Sequence, residues 1–151
     1  MKAEAQAFEI KTEQISLHEL GALVPQIAGL LRSWGYDTLS VTFGYGCNAP
    51  TEQLWQPQEV ETEQVPAFVQ HGVRTGILLL GGCDLHIEDR ERTLEFRLCH
   101  ESDAHFECVQ QDRVQEVERR WLKQGLVLYI STGPKGSALP KEWKRIDPGA
   151  S

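Results

Sequence analysis

Residues 93–108, TLEFRLCHESDAHFEC, constrain the fold of this chain more than any other stretch. The even positions are Leu94, Phe96, Leu98, His100, Ser102, Ala104, Phe106 and Cys108. The odd positions are Thr93, Glu95, Arg97, Cys99, Glu101, Asp103, His105 and Glu107. Such a period of two belongs to a strand with one dry face and one wet face. A helix would scatter both sets around its axis. The chain must therefore build a sheet that covers the even side and leaves the odd side to polar company.

Other elements follow from the same patterning. Phe8, Ile10 and Thr12 alternate with charged residues as a short strand. Ser16 and Glu19 form a capping box that opens a helix. Leu17, Leu20, Val24, Ile27, Leu31 and Trp34 then make one apolar stripe, with Pro25 as a kink or restart and Gly35 as the stop. Leu39, Val41, Phe43 and Tyr45 read as the next strand. Residues 46–66 hold three prolines, four glutamates and no Lys or Arg, the pattern of an irregular acidic loop. A short helix over 62–71 ends at Gly72. Residues 77–87 and 94–108 then pair as a hairpin across 89–92, with partner numbers summing to 181. That register sets Ile87 against Leu94, Leu85 against Phe96, Asp84 against Arg97 and His86 against Glu95. Asp112 caps a second main helix with Val114, Val117 and Trp121 inward, and 126–130 reads as a central strand. From Ser131 the tail is punctuated by Gly and Pro, with Trp143 docking it. The expectation is a single α+β domain over 1–151: a mostly antiparallel sheet of about four to five strands, with two main helices packed on one face.

Charge narrows the function. The net charge is −7. The tail from Ser131 carries Lys135, Lys141, Lys144 and Arg145 against Glu142 and Asp147, which leaves −9 on the first 130 residues. A field of that sign repels phosphate backbones and argues against nucleic acid. It accelerates encounter with a basic protein. No apolar run approaches the roughly 20 residues that span a bilayer, so no membrane role is expected. The N-terminal MKAEAQAFEIKTEQ lacks the apolar core of an export signal, which makes the cytoplasm the expected compartment. Cys47, Cys83, Cys99 and Cys108 show no CxxC pair and read as free thiols.

Two functional readings follow. In the first, a small acidic regulatory protein recognises a basic protein partner, in the manner of immunity proteins or inhibitors. Its surface would be Glu95, Glu101, Asp103, His105 and Glu107 on the hairpin, with Trp55 of the loop as an aromatic anchor and no cofactor. In the second, His100, Asp103 and His105 hold a divalent transition metal, in a metal-binding protein or a metal-dependent hydrolase. On a straight strand Asp103 and His105 share a face about 7 Å apart at Cα, while His100 points away. All three converge only where the chain bends at Ser102. Cys99 with either histidine makes a poor nucleophilic couple on a straight strand, and Glu101 beside it would raise the thiol pKa. Pairing of apolar hairpin edges in a homodimer is a further expectation.

Overall fold

The computed structural model describes residues 6–134 and 142–149. Its strands are β1 (Gln6–Thr12), β2 (Thr38–Phe43), β3 (Gln58–Glu61), β4 (Leu85–Glu88), β5 (Leu94–Leu98), β6 (Ala104–Cys108), β7 (Leu128–Pro134) and β8 (Lys144–Ile146). Its α-helices are α1 (Leu17–Ser33), α2 (Val65–Arg74) and α3 (Gln111–Lys123). The strands form one sheet in the order β3-β2-β4-β5-β6-β1-β7-β8, antiparallel at every step.

Period-two patterning explains the layer arrangement. Register places Val41, Ile87, Phe96, Phe106, Ile10 and Ile130 in one row across the sheet, five of them at most 1 % exposed. Burying a side chain of this size stabilises by about 1.5–3 kcal/mol. Three helices close that face. Trp34 at the end of α1 meets Phe106, Phe68 of α2 stacks on Phe43, and Trp121 of α3 meets Phe96. The Ser16 capping box forms as read: Ser16 Oγ accepts from the Glu19 N–H and Glu19 Oε1 accepts from the Ser16 N–H, both at 3.1 Å.

The expectation of four to five strands and two main helices is overturned, since the sheet has eight strands and three helices pack on it. Three strands account for the difference. β3 lies inside the segment expected to be an irregular loop, and β8 lies in the tail. The stretch 94–108 is two strands, β5 and β6, folded back on each other.

Smaller corrections have local causes. The hairpin register sums to 183, as in Ile87 against Phe96, so every partner shifts by two while each side chain keeps its face. The turn is longer as the Asp89 carboxylate accepts the Thr93 and Leu94 N–H groups at 2.7 and 3.1 Å, which keeps both N–H groups out of the ladder with β4. The run Ile77-Leu78-Leu79-Leu80 forms no strand; Leu78 is buried, Leu79 is 65 % exposed, and 79–83 is a turn closed by Leu79 C=O. Pro25 is accommodated within α1, and Gly72 lies inside α2, where a Cβ would press Leu78 at 3.4 Å. Asp112 sits in the first turn of α3, while Gln110 is its N-cap. The strand at 126–130 is β7, second from the edge. Residues 135–141 of the expected tail lie outside the described residues. Trp143 stands under the Lys11 ammonium, 4.2 Å from its ring centroid.

Candidate metal centre at the Cys99 turn

The chain turns back at Ser102. Ser102 N–H donates to Cys99 C=O at 3.0 Å, Cys99 N–H donates to Asp103 C=O at 2.8 Å, and Ser102 has φ 64°. This is a three-residue hairpin loop with a left-handed residue at its end. Ser102 tolerates that conformation because it is clamped on both sides: its Oγ donates to Ile15 C=O at 2.7 Å, and Ile15 N–H donates back to its C=O at 2.8 Å. Gly81, at φ 83°, leaves room for the hydroxyl; a Cβ there would stand 3.1 Å from Ser102 Oγ.

The turn gathers ligand-type side chains at one end of the polar sheet face. His100 Nδ1 lies 2.8 Å from Asp84 Oδ1, which also accepts the His100 N–H at 2.7 Å. Cys99 Sγ lies 3.7 Å from His100 Nδ1. Asp84, Cys99 and His100 thus offer three donor atoms within 4.8 Å of one another. Cys99, Asp103 and His105 form a second such trio, so the Cys99 sulfur links the two. Donors at 2.0–2.3 Å from a tetrahedral zinc lie about 3.3–3.8 Å apart, which the first trio reaches with small side-chain rotations. Tyr45, 60 % exposed, leans over the His100 ring at 4.8 Å between centroids.

Environment separates the two trios. His105 is held from both sides: Nδ1 lies 3.1 Å from Glu9 Oε1, and Nε2 lies 3.1 Å from Asp103 Oδ2. Arg97 Nη2 approaches the same Nδ1 at 3.2 Å, and Lys11 is its cross-strand neighbour. Burial works against the His105 cation, but the hydrogen bonds to Asp103 and Glu9 prevail and raise its pKa. Burial works against the Asp103 and Asp84 anions too; bonds to His105 and to His100, respectively, prevail and hold both below the ordinary carboxylate range. Burial, with Asp103 and Asp84 nearby, pushes the Cys99 thiol up to about 11. A bound cation reverses that balance by taking the thiolate directly.

The site residues expected from the sequence fall in different places. Asp103 and His105 come together, while His100 joins Asp84 and Cys99. Asp84 faces His100 rather than Arg97, because of the two-residue register shift. Glu95 bonds His86 at 3.0 Å and meets Arg97 at 3.6 Å. Glu107 stands between Glu95 and Glu9 across the strands. Glu101 is exposed at the tip of the turn. Trp55 is 58 % exposed, with its ring 6.0 Å from that of His86.

The polar face is consequently a ladder of two rows. Cross-strand register gives His86, Arg97, His105, Lys11, Tyr129 and Arg145 in one row, and Glu88, Glu95, Glu107 and Glu9 in the next. Each row offsets the repulsion within the other. The sequence shows these charges but not that six strands align them. No local motif marks Asp84 as a ligand, since it lies 15 residues before Cys99.

No known protein family, curated protein or solved structure matches the chain. Among the described residues, no helix is long and apolar enough to cross a membrane.

Proposed function

We propose that this is a transition-metal-binding protein that takes one divalent ion, of the zinc class, on Asp84, Cys99 and His100. One observation carries the reading: the Ser102 turn sets a thiol, an imidazole and a carboxylate within 4.8 Å of one another. Thiolate with imidazole selects zinc and its neighbours over calcium or magnesium. The His100 side chain is 38 % exposed, so the trio opens to solvent on that side. Three protein ligands and a water are the arrangement of reactive rather than purely structural zinc sites.

The second trio serves better as support than as ligand set. Arg97 and Lys11 beside His105 would repel a cation, and Glu9 already occupies Nδ1. Recognition of a basic partner by the hairpin face draws less support, because Glu95, Asp103 and His105 are engaged within the ladder and Glu101 stands apart from them.

Calorimetric titration of metal-free protein with zinc tests the proposal. The expected result is one ion per chain, with binding lost or greatly weakened in Asp84→Asn, Cys99→Ser and His100→Ala. Absence of binding by folded wild-type protein, or equal binding by all three variants, would overturn it.

A further inference from the structure

We infer that Cys47 and Cys83 are a redox pair that closes an intramolecular disulfide when the protein meets a peroxide. This inference stands apart from the metal reading and uses different side chains. Backbone pairing sets the two cysteines side by side: Gly44 N–H donates to Asp84 C=O at 2.9 Å, and Asp84 N–H donates to Tyr45 C=O at 2.7 Å. Gly46 permits the close approach. It has φ 81°, and a Cβ there would stand 2.7 Å from Gly82 O and 3.0 Å from Cys83 Cβ.

The two thiols are neighbours, and backbone groups hold each of them. The Cys47 thiol has two acceptors in reach, the Asp84 carbonyl at 3.4 Å and the Cys83 sulfur. Cys83 Sγ is fixed by the turn below it, accepting the Leu79 N–H at 3.2 Å. The other two cysteines have no such thiol neighbour: Cys99 faces His100 and two aspartates, and Cys108 Sγ accepts the Gln110 N–H at 3.4 Å.

Cys47 is 9 % exposed and Cys83 is 0 % exposed, so peroxide reaches the pair from the Cys47 side. Peroxide transfers one oxygen to one sulfur of the pair, giving a sulfenic acid and one water. The other sulfur then attacks the oxidised one and displaces the hydroxyl group, which leaves as a second water with the attacking thiol's proton. The thiol pair loses two electrons and two protons, and hydrogen peroxide is reduced to two waters. The bond ties the turn after β2 to the segment before β4.

The test is peptide mapping of the full chain after a small excess of hydrogen peroxide, with alkylation before and after reduction. The expected result is loss of two of the four thiols, a mass lower by about 2 Da, and one cross-linked peptide pair joining Cys47 to Cys83, reversed by dithiothreitol. Retention of all four thiols, a cross-link between any other pair, or over-oxidation of either Cys47 or Cys83 without a cross-link would overturn the inference. Cys47→Ser should abolish the cross-link under the same treatment. The wild-type map decides the matter even where that variant does not fold.

Discussion

His100 and His105 are five residues apart, each paired with an aspartate, and both neighbour Cys99, yet they occupy unlike environments. His105 lies within the sheet face, with a carboxylate on either nitrogen and Arg97 beside it. His100 lies in the turn at the end of β5, with Asp84 on one nitrogen, the Cys99 thiol close by and Tyr45 over its ring. Residue type alone would make both of them ligands. Neighbouring charge favours the protonated form of His105, while His100 stands half open to solvent. Two histidines of like sequence context differ through the charged groups and the solvent around each.

Stability should separate the two histidines most strongly. His105→Ala removes the partner of two buried carboxylates and should cost about 3 kcal/mol in denaturant unfolding, the usual scale for breaking a buried pair. His100→Ala acts on a part-exposed pair and should cost about 1 kcal/mol or less. Equal losses would dissolve the distinction. Metal affinity should reverse the order. Cys99→Ser and His100→Ala should weaken zinc binding by about 100-fold or more, whereas His105→Ala, acting only on the support of the site, should cost about 10-fold. A larger effect from His105→Ala in competition titrations would move the centre to the other trio.

The pH dependence of metal-free protein sharpens the contrast further. Glu9, Asp103, Arg97 and Lys11 face His105, and its pKa is raised on folding. A raised imidazole binds its proton more tightly in the folded state, so its contribution is full below the unfolded value of about 6.5 and is lost as pH rises through the folded value. Unfolding midpoints should therefore fall as pH rises above about 6.5, and His105→Ala should flatten that part of the curve. The smallest effect belongs to the turn itself. Ser102→Gly relieves a left-handed residue worth about 1–2 kcal/mol. It also loses the bond to Ile15 C=O, worth about 1 kcal/mol. The two nearly cancel, and unfolding should shift by about 1 kcal/mol or less.

Much of the fold was legible because alternation survives folding. Residues 94–98 and 104–108 keep their even side chains buried, as the alternation implies, and the same alternation masks the turn between them. Leu98 pairs with Ala104, so the five residues between them keep the inner positions even on both strands. A hairpin of this length leaves the same period-two trace as one straight strand. The edge strands were illegible for another reason. β3 reads QEVE and β8 reads KRI, and short charged edges are how sheets avoid pairing with other chains. The candidate site was half legible: the donors at 99–105 stand together in sequence, but Asp84 reaches them only through a register set by the Asp89 side chain.

X-ray absorption at the zinc edge of the reconstituted protein tests the central claim most directly. Ligation by Asp84, Cys99 and His100 predicts one sulfur at about 2.3 Å, with nitrogen and oxygen neighbours at about 2.0–2.2 Å. A zinc shell without sulfur would contradict the assignment, as would one with two sulfurs, which would move the ion to the Cys47–Cys83 pair.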